Sequence, residues 1–201
     1  QPGAHQPGIG FVTCDACAIS KYTRDTKATE CLDCPLGYAT YGKTGSSLCI
    51  ECAVGEYFLQ GYCLPCDKGK YRGIDDDVLV CKFCKAGTFG DRKGNYNCLH
   101  CPPGKYQNAG GKTSCKLCAV GMYRHETDIK FATNSSKGNA SLSSTIRQVP
   151  GSTCDLCPIG RTTNGGKGSY KCALCGAGKY GFGCKNCPVG TFRPVTMNES
   201  T

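Results

Sequence analysis

The chain has 201 residues, a net charge of +9, 20 cysteines, 28 glycines, 10 prolines and no tryptophan. Its mean hydropathy is −0.32, and no stretch approaches the roughly 18 apolar residues that a membrane-spanning helix needs. This composition excludes a spanning helix and an ordinary oily-core domain, and it reads as a covalent scaffold.

In chain order, residues 1–13 read as an N-terminal tail ahead of Cys14, with Gln1 as the first residue of a processed chain. Residues 14–118 then carry regular Cys-x-x-Cys pairs, at 14/17, 31/34, 49/52, 63/66, 81/84, 98/101 and 115/118. An insert follows over 119–153, further pairs at 154/157, 172/175 and 184/187 fill 154–193, and 194–201 form a C-terminal tail. First cysteines recur 17, 18, 14, 18, 17, 17, 39, 18 and 12 residues apart. A near-fixed period means a stack of small units, each touching mainly its neighbours.

Each pair opens a common phrase. With the second cysteine as position zero, glycine stands at plus three in nine copies, from Gly37 to Gly190, with Ser20 the exception. An aromatic stands at plus five in eight: Tyr22, Tyr57, Tyr71, Phe89, Tyr106, Tyr123, Tyr180 and Phe192. Ala39 and Thr162 break that pattern. A second glycine precedes several pairs, as at Gly45, Gly94, Gly111 and Gly168. The first glycine supplies a turn or a close backbone approach. The aromatic is expected to lie on the neighbouring disulfide and to supply most of the little core there is. The expected fold is small and disulfide-rich: an elongated tandem array of short β-hairpin/turn repeats of about 17 residues, with almost no helix and no large hydrophobic core.

Two pairings respect the period. In one, the second cysteine of each pair bonds the first of the next: Cys17–Cys31, Cys34–Cys49, Cys52–Cys63, Cys66–Cys81, Cys84–Cys98, Cys101–Cys115, Cys118–Cys154, Cys157–Cys172 and Cys175–Cys184. That scheme leaves Cys14 and Cys187. In the other, consecutive pairs interlock one-to-three and two-to-four, as in Cys14–Cys31 with Cys17–Cys34. The first is favoured because each of its loops contains the glycine–aromatic phrase. Loops of this size contribute about 3 kcal/mol per bridge. Zinc is the rival use of such spacing, but the regular glycine–aromatic loops and the glycosylation sequons argue against it. No metal or other cofactor is expected.

Cys101-Pro-Pro-Gly-Lys-Tyr106, followed by Gly111-Lys-Thr-Ser-Cys-Lys-Leu-Cys118, resembles the cysteine-rich repeats of ephrin-type receptors. It is also similar to the first loop of tumour necrosis factor receptor modules and to cysteine-rich surface proteins of single-celled eukaryotes. The resemblance spans roughly residues 14–193 and implies an elongated rod of disulfide rungs. The insert, Ser20 and Thr162 depart from it. Such repeats serve receptors, coats and adhesins alike, so the resemblance points to fold more than to function.

The insert carries sequons at Asn134 and Asn139, and a third lies at Asn198. N-linked glycans at these positions suit a secretory route. A hairpin bearing Asn134 and Asn139 on its tip, or a glycosylated loop, is expected there. The cysteine load itself implies a secreted or cell-surface setting.

Lys and Arg residues are scattered, without a run of four. They predict a solvated basic surface that admits acidic glycans as partners. Nucleic acid is excluded as a partner, since no basic groove with stacking side chains is visible. His5, His100 and His125 form no triad, and His125-Glu126 fails as a zinc-protease motif because Ile129 stands where histidine is needed. Asp75-Asp76-Asp77 reads as a solvated acidic turn. The chain is therefore expected not to be an enzyme.

The final phrase, Cys187-Pro-Val-Gly-Thr-Phe192, has no following pair. Residues 188–201 of one copy are expected to dock on residues 1–13 of the next, with Cys187 available to bond Cys14. The expected function is a secreted structural glycoprotein that assembles head to tail with itself into an extracellular filament or coat. The alternative is a ligand-binding receptor ectodomain or soluble decoy.

Overall fold

A computed structural model describes residues 1–6, 8, 13–125 and 151–192. Among these residues there is no helix, and every strand belongs to a two-stranded antiparallel hairpin. The chain divides into two compact units, Gln1–Cys84 with Gly90–Cys98, and Lys85–Phe89 with Leu99–Thr201.

The first unit holds five hairpins. They are β1 (Ala4–His5) with β2 (Asp15–Ala16), β3 (Lys21–Tyr22) with β4 (Leu32–Asp33), β5 (Tyr38–Ala39) with β6 (Ile50–Glu51), β7 (Glu56–Leu59) with β8 (Tyr62–Pro65), and β9 (Lys70–Tyr71) with β10 (Lys82–Phe83). The second unit holds five more. They are β11 (Thr88–Phe89) with β12 (Leu99–His100), β13 (Lys105–Tyr106) with β14 (Lys116–Leu117), β15 (Met122–Tyr123) with β16 (Asp155–Leu156), β17 (Arg161–Thr162) with β18 (Ala173–Leu174), and β19 (Lys179–Tyr180) with β20 (Lys185–Asn186).

In every hairpin the second strand contains the two residues between a pair of cysteines. Side chains alternate across a strand, so residues three apart point to opposite faces. One thiol of each pair therefore faces back and the other forward. The nine disulfides follow this geometry: Cys17–Cys31, Cys34–Cys49, Cys52–Cys63, Cys66–Cys81, Cys84–Cys98, Cys101–Cys115, Cys118–Cys154, Cys157–Cys172 and Cys175–Cys184. Their Cα–Cα distances run from 5.3 Å to 5.8 Å, which is the ordinary span of such a bridge.

Residues 1–13 include more than a tail. Gly3 has φ +84°, Ala4 and His5 pair with Ala16 and Asp15, and the Cys17 amide donates to the Gly3 carbonyl at 2.8 Å. Every later second cysteine makes the same bond to the plus-three residue before it, as in Cys118 to Gly104 at 2.9 Å. Gln1-Pro2-Gly3-Ala4-His5 is thus the opening arm of a further repeat, with His5 at the aromatic position.

Neighbouring repeats are tied through the backbone. The plus-three amide donates to the plus-six residue of the next repeat, as in Gly3 to Thr23 (2.8 Å), Gly55 to Arg72 (2.8 Å) and Gly104 to Arg124 (3.0 Å). Contact also reaches the repeat after next. A Cβ added to Gly104 would stand 2.0 Å from the Gly168 carbonyl oxygen, and one added to Gly3 would stand 2.0 Å from that of Gly45. Ser20 tolerates the same left-handed backbone, φ +66°. Its hydroxyl converts the close approach into a hydrogen bond to the Gly61 carbonyl at 2.7 Å.

The interior differs from the expected ring-on-sulfur core. The fully buried large side chains are the second cysteines, Cys17, Cys66, Cys84, Cys101 and Cys118. Around them the buried residues are mostly polar and mostly at plus six: Thr23, Thr40, Arg72, Gln107, Arg124 and Thr163. The plus-five rings stay half-buried or, at Tyr180 and Phe192, exposed. The reason is alternation. A ring at plus five faces away from the side chain at plus six, and it is the plus-six side chain that enters the next repeat.

Candidate functional site

No cluster with the geometry of a catalytic centre occurs among the described residues, so the candidate elements are the sulfurs, the buried arginines and the surface charges. Eighteen cysteines are paired. Cys14, exposed, and Cys187, half-buried, carry no bond within the chain. Cys14 borders an open cleft of about 520 Å³ lined by Ala4, Gln6, Gly8, Thr26 and Lys27–Thr29. His5 places Nδ1 3.2 Å from the Cys31 sulfur. His5, Cys17 and Cys31 lie within metal-ligand reach of one another, yet Cys17 and Cys31 are bonded to each other. Disulfide sulfur offers a zinc ion no thiolate.

Arg72 and Arg124 were not singled out by sequence reasoning. Arg72 is 5% exposed and Arg124 is 2% exposed. Arg72 donates from Nη2 to the carbonyls of Cys52 (2.9 Å) and Ala53 (2.7 Å), and from Nε to that of Glu56. Arg124 donates from Nη1 to the carbonyls of Cys101 (2.8 Å), Pro102 (3.0 Å) and Lys105. Both cations are buried, and backbone oxygens compensate the charge. The only signal in the sequence was their shared offset, six residues after the second cysteine.

The acidic turn has a structural use. The Asp76 carboxylate accepts the Gly73 amide at 2.7 Å and pairs with Lys82, while Asp77 accepts the Leu79 amide at 2.9 Å. Hydrogen bonding from Lys82, and then from the Gly73 amide, holds the Asp76 carboxyl below the usual range. The same bond raises Lys82. Burial and the hydrogen bond to Glu56 raise the Tyr41 hydroxyl. His100 and His125 are both exposed. Asn134, Asn139 and Asn198 lie outside the described residues, as do the expected insert hairpin and the C-terminal docking segment from 193 onward.

The stretch from Gly87 into the insert has a known counterpart. Residues 87–137 match the family model for tyrosine-protein kinase ephrin type A/B receptor-like sequences. The chain carries ephrin-receptor-like cysteine-rich repeats. The matched stretch starts on a plus-three glycine and covers about a quarter of the chain. The same disulfide hairpin recurs on both sides of it, over all ten hairpins. No curated protein matches the chain. Ephrin-receptor-like repeats bonded through eighteen cysteines point to an oxidising extracellular or cell-surface setting. No helix among the described residues is long and apolar enough to cross a membrane.

Proposed function

We propose that the chain is a non-enzymatic structural module of an extracellular or surface glycoprotein, a run of ephrin-receptor-like repeats that extends head to tail through Cys14 and Cys187. The observation that carries this reading is the pairing itself. Each hairpin is locked covalently to its neighbour, and Cys14 and Cys187 have no disulfide partner among the described residues. A head-to-tail contact that does not close a ring makes a filament. Ala4 and His5, within the residues 1–13 expected to receive the tail, already pair with Ala16 and Asp15, so in this reading the joint rests on the two sulfurs. N-linked glycans at Asn134, Asn139 and Asn198 would shield the surface from proteases.

The test is a non-reducing gel of the native glycoprotein with negative-stain images, beside a Cys14→Ser variant. A ladder that collapses on reduction and is absent from the variant supports the reading. A monodisperse species with two titratable thiols overturns the polymer. If that species also captures a protein ligand, the receptor ectodomain takes its place.

A further inference from the structure

Thr163, Asn164, Gly165 and Gly166 form a tight turn after β17. Asn164 has φ +51° and Gly165 φ +78°, and the Gly166 amide donates to the Thr163 carbonyl at 2.9 Å. Two central residues of positive φ closed by that bond make a type I′ turn. Asparagine and glycine tolerate the left-handed backbone it demands. The Asn164 backbone N–H donates to the Thr162 hydroxyl at 3.2 Å. The first unit has the same turn over residues 40–43. There Tyr41 (φ +49°) and Gly42 (φ +75°) take the central places, and the Lys43 amide donates to the Thr40 carbonyl at 3.0 Å.

Asn164 differs from Tyr41 in its chemistry. Asn164-Gly165 is the one Asn-Gly step in the sequence. Attack by the backbone nitrogen of the next residue on an asparagine side-chain carbon closes a five-membered ring. A β-carbon on that next residue crowds the ring, and glycine has none. Both residues are exposed, and a Cβ added to Gly165 would meet nothing within 4 Å. Among the described residues neither the Asn164 side-chain amide nor the Gly165 N–H has a hydrogen-bond partner. An open cleft of about 200 Å³, bordered by Asn164, Ser169, Tyr170 and Lys171, admits water to the turn.

The other described asparagines are placed differently. They precede Tyr96, Cys98, Ala109 and Cys187, all of which carry a β-carbon. Asn95 is buried, and the Asn108 side chain accepts from Lys116 at 3.1 Å. The Cys187 amide after Asn186 is bonded to the Gly178 carbonyl at 2.8 Å.

We propose that Asn164 is a site of spontaneous succinimide formation and converts to aspartate and isoaspartate. The Gly165 nitrogen loses its proton and bonds to the Asn164 side-chain carbon, and the side-chain nitrogen leaves as ammonia. Water then opens the ring at either carbonyl. The net change is one water consumed and one ammonia released, with no oxidant or reductant. Opening at the side-chain carbonyl gives aspartate. Opening at the backbone carbonyl gives isoaspartate, which inserts one methylene into the main chain of the turn. That methylene breaks the geometry that brings the Gly166 amide to the Thr163 carbonyl. Thr163 is 9% exposed, and its hydroxyl accepts the Gly121 amide of the preceding repeat at 2.9 Å. The conversion thus loosens a tie between two repeats, and asparagine does not return. It does not depend on Cys14 or Cys187.

The test incubates the oxidised full chain at mildly alkaline pH and follows Asn164, Asn108 and Asn186 by peptide mapping, with fragmentation that distinguishes isoaspartate from aspartate. The proposal expects Asn164 to convert many-fold faster than the other two, with isoaspartate among its products. A Gly165→Ala variant should convert severalfold more slowly. Amide exchange at Gly121 should quicken in the isoaspartyl form and keep its native rate in Asn164→Asp, which carries the charge without the methylene. Equal rates at the three asparagines, aspartate as the sole product, or a rate unaffected by Gly165→Ala overturns the site. Native Gly121 exchange in the isoaspartyl form overturns its coupling to the preceding repeat.

Discussion

Arg72 and Arg124 make one contact twice, each in its own unit: the guanidinium takes the carbonyls of the second cysteine, the next residue and the residue three further on in the preceding repeat. For Arg72 these are Cys52, Ala53 and Glu56, and for Arg124 they are Cys101, Pro102 and Lys105. Arg72 reaches its three carbonyls from two nitrogens, Nε and Nη2, held in one rigid plane, a span that a point-like ammonium does not reproduce. Arg72→Ala would strand those oxygens and cost about 3 kcal/mol. Arg72→Lys keeps the charge without the fork and should recover less than half. The reading is amide exchange of the Ala53–Glu56 turn, protected in the native chain and fast in both variants. Because Arg124 sits in the other unit, the double alanine variant should show additive losses.

Gly104 and Gly178 occupy the same plus-three position but different surroundings. Both have positive φ, +74° and +68°. A methyl at Gly104 would meet the Gly168 carbonyl oxygen at 2.0 Å, whereas one at Gly178 would meet nothing within 4 Å. Gly178→Ala should therefore cost only the left-handed backbone term, about 1 kcal/mol. Gly104→Ala adds a clash with backbone that cannot rotate away, and should cost several-fold more or divert oxidative folding. Guanidinium unfolding of the oxidised proteins, with disulfide mapping, separates the two.

Hairpin repeats were legible because the cysteine spacing, the plus-three glycine and the plus-five ring all recur at fixed offsets. What formed the interior was not legible. Aromatic residues are the usual core material, so Tyr57 and Tyr106 drew attention, while Arg72 and Arg124 look like surface cations until their carbonyl partners are placed. The opening repeat was hidden for a related reason: Gly3 and His5 sit at the right offsets, but no cysteine before them announces the phrase, and His5 does not read as a ring of that series.

The bridges Cys101–Cys115 and Cys118–Cys154 close loops of sequence separation 14 and 36. Restriction of the unfolded chain grows only with the logarithm of loop length, so removing the two should cost about 3 and about 4 kcal/mol respectively. Paired serine variants, Cys101→Ser/Cys115→Ser and Cys118→Ser/Cys154→Ser, measured by denaturant unfolding, give the two values. A difference much larger than this would mean that the insert itself contributes packing. The hairpin next to each lost bridge should show the largest rise in amide exchange, since each unit rests chiefly on its neighbours.

Asp76 ties the turn at Gly73 to the strand β10 through Lys82. Its carboxyl is held below the usual range, chiefly by the Lys82 hydrogen bond, so its contribution is full above the ordinary carboxylate pKa and is lost as pH falls through the depressed value. Lys82 is raised by the same bond. Its contribution is full below the ordinary lysine pKa and is lost as pH rises through the elevated one. The turn should hold unchanged across the neutral range and loosen only in strong acid or strong alkali. In an NMR titration the Gly73 amide should shift only at those extremes. Asp76→Asn keeps an acceptor for Gly73 but loses the charge, and should abolish both steps. A native Gly73 signal that moves near pH 5, or not at all down to pH 2, would show that the Asp76–Lys82 pair does not hold this turn.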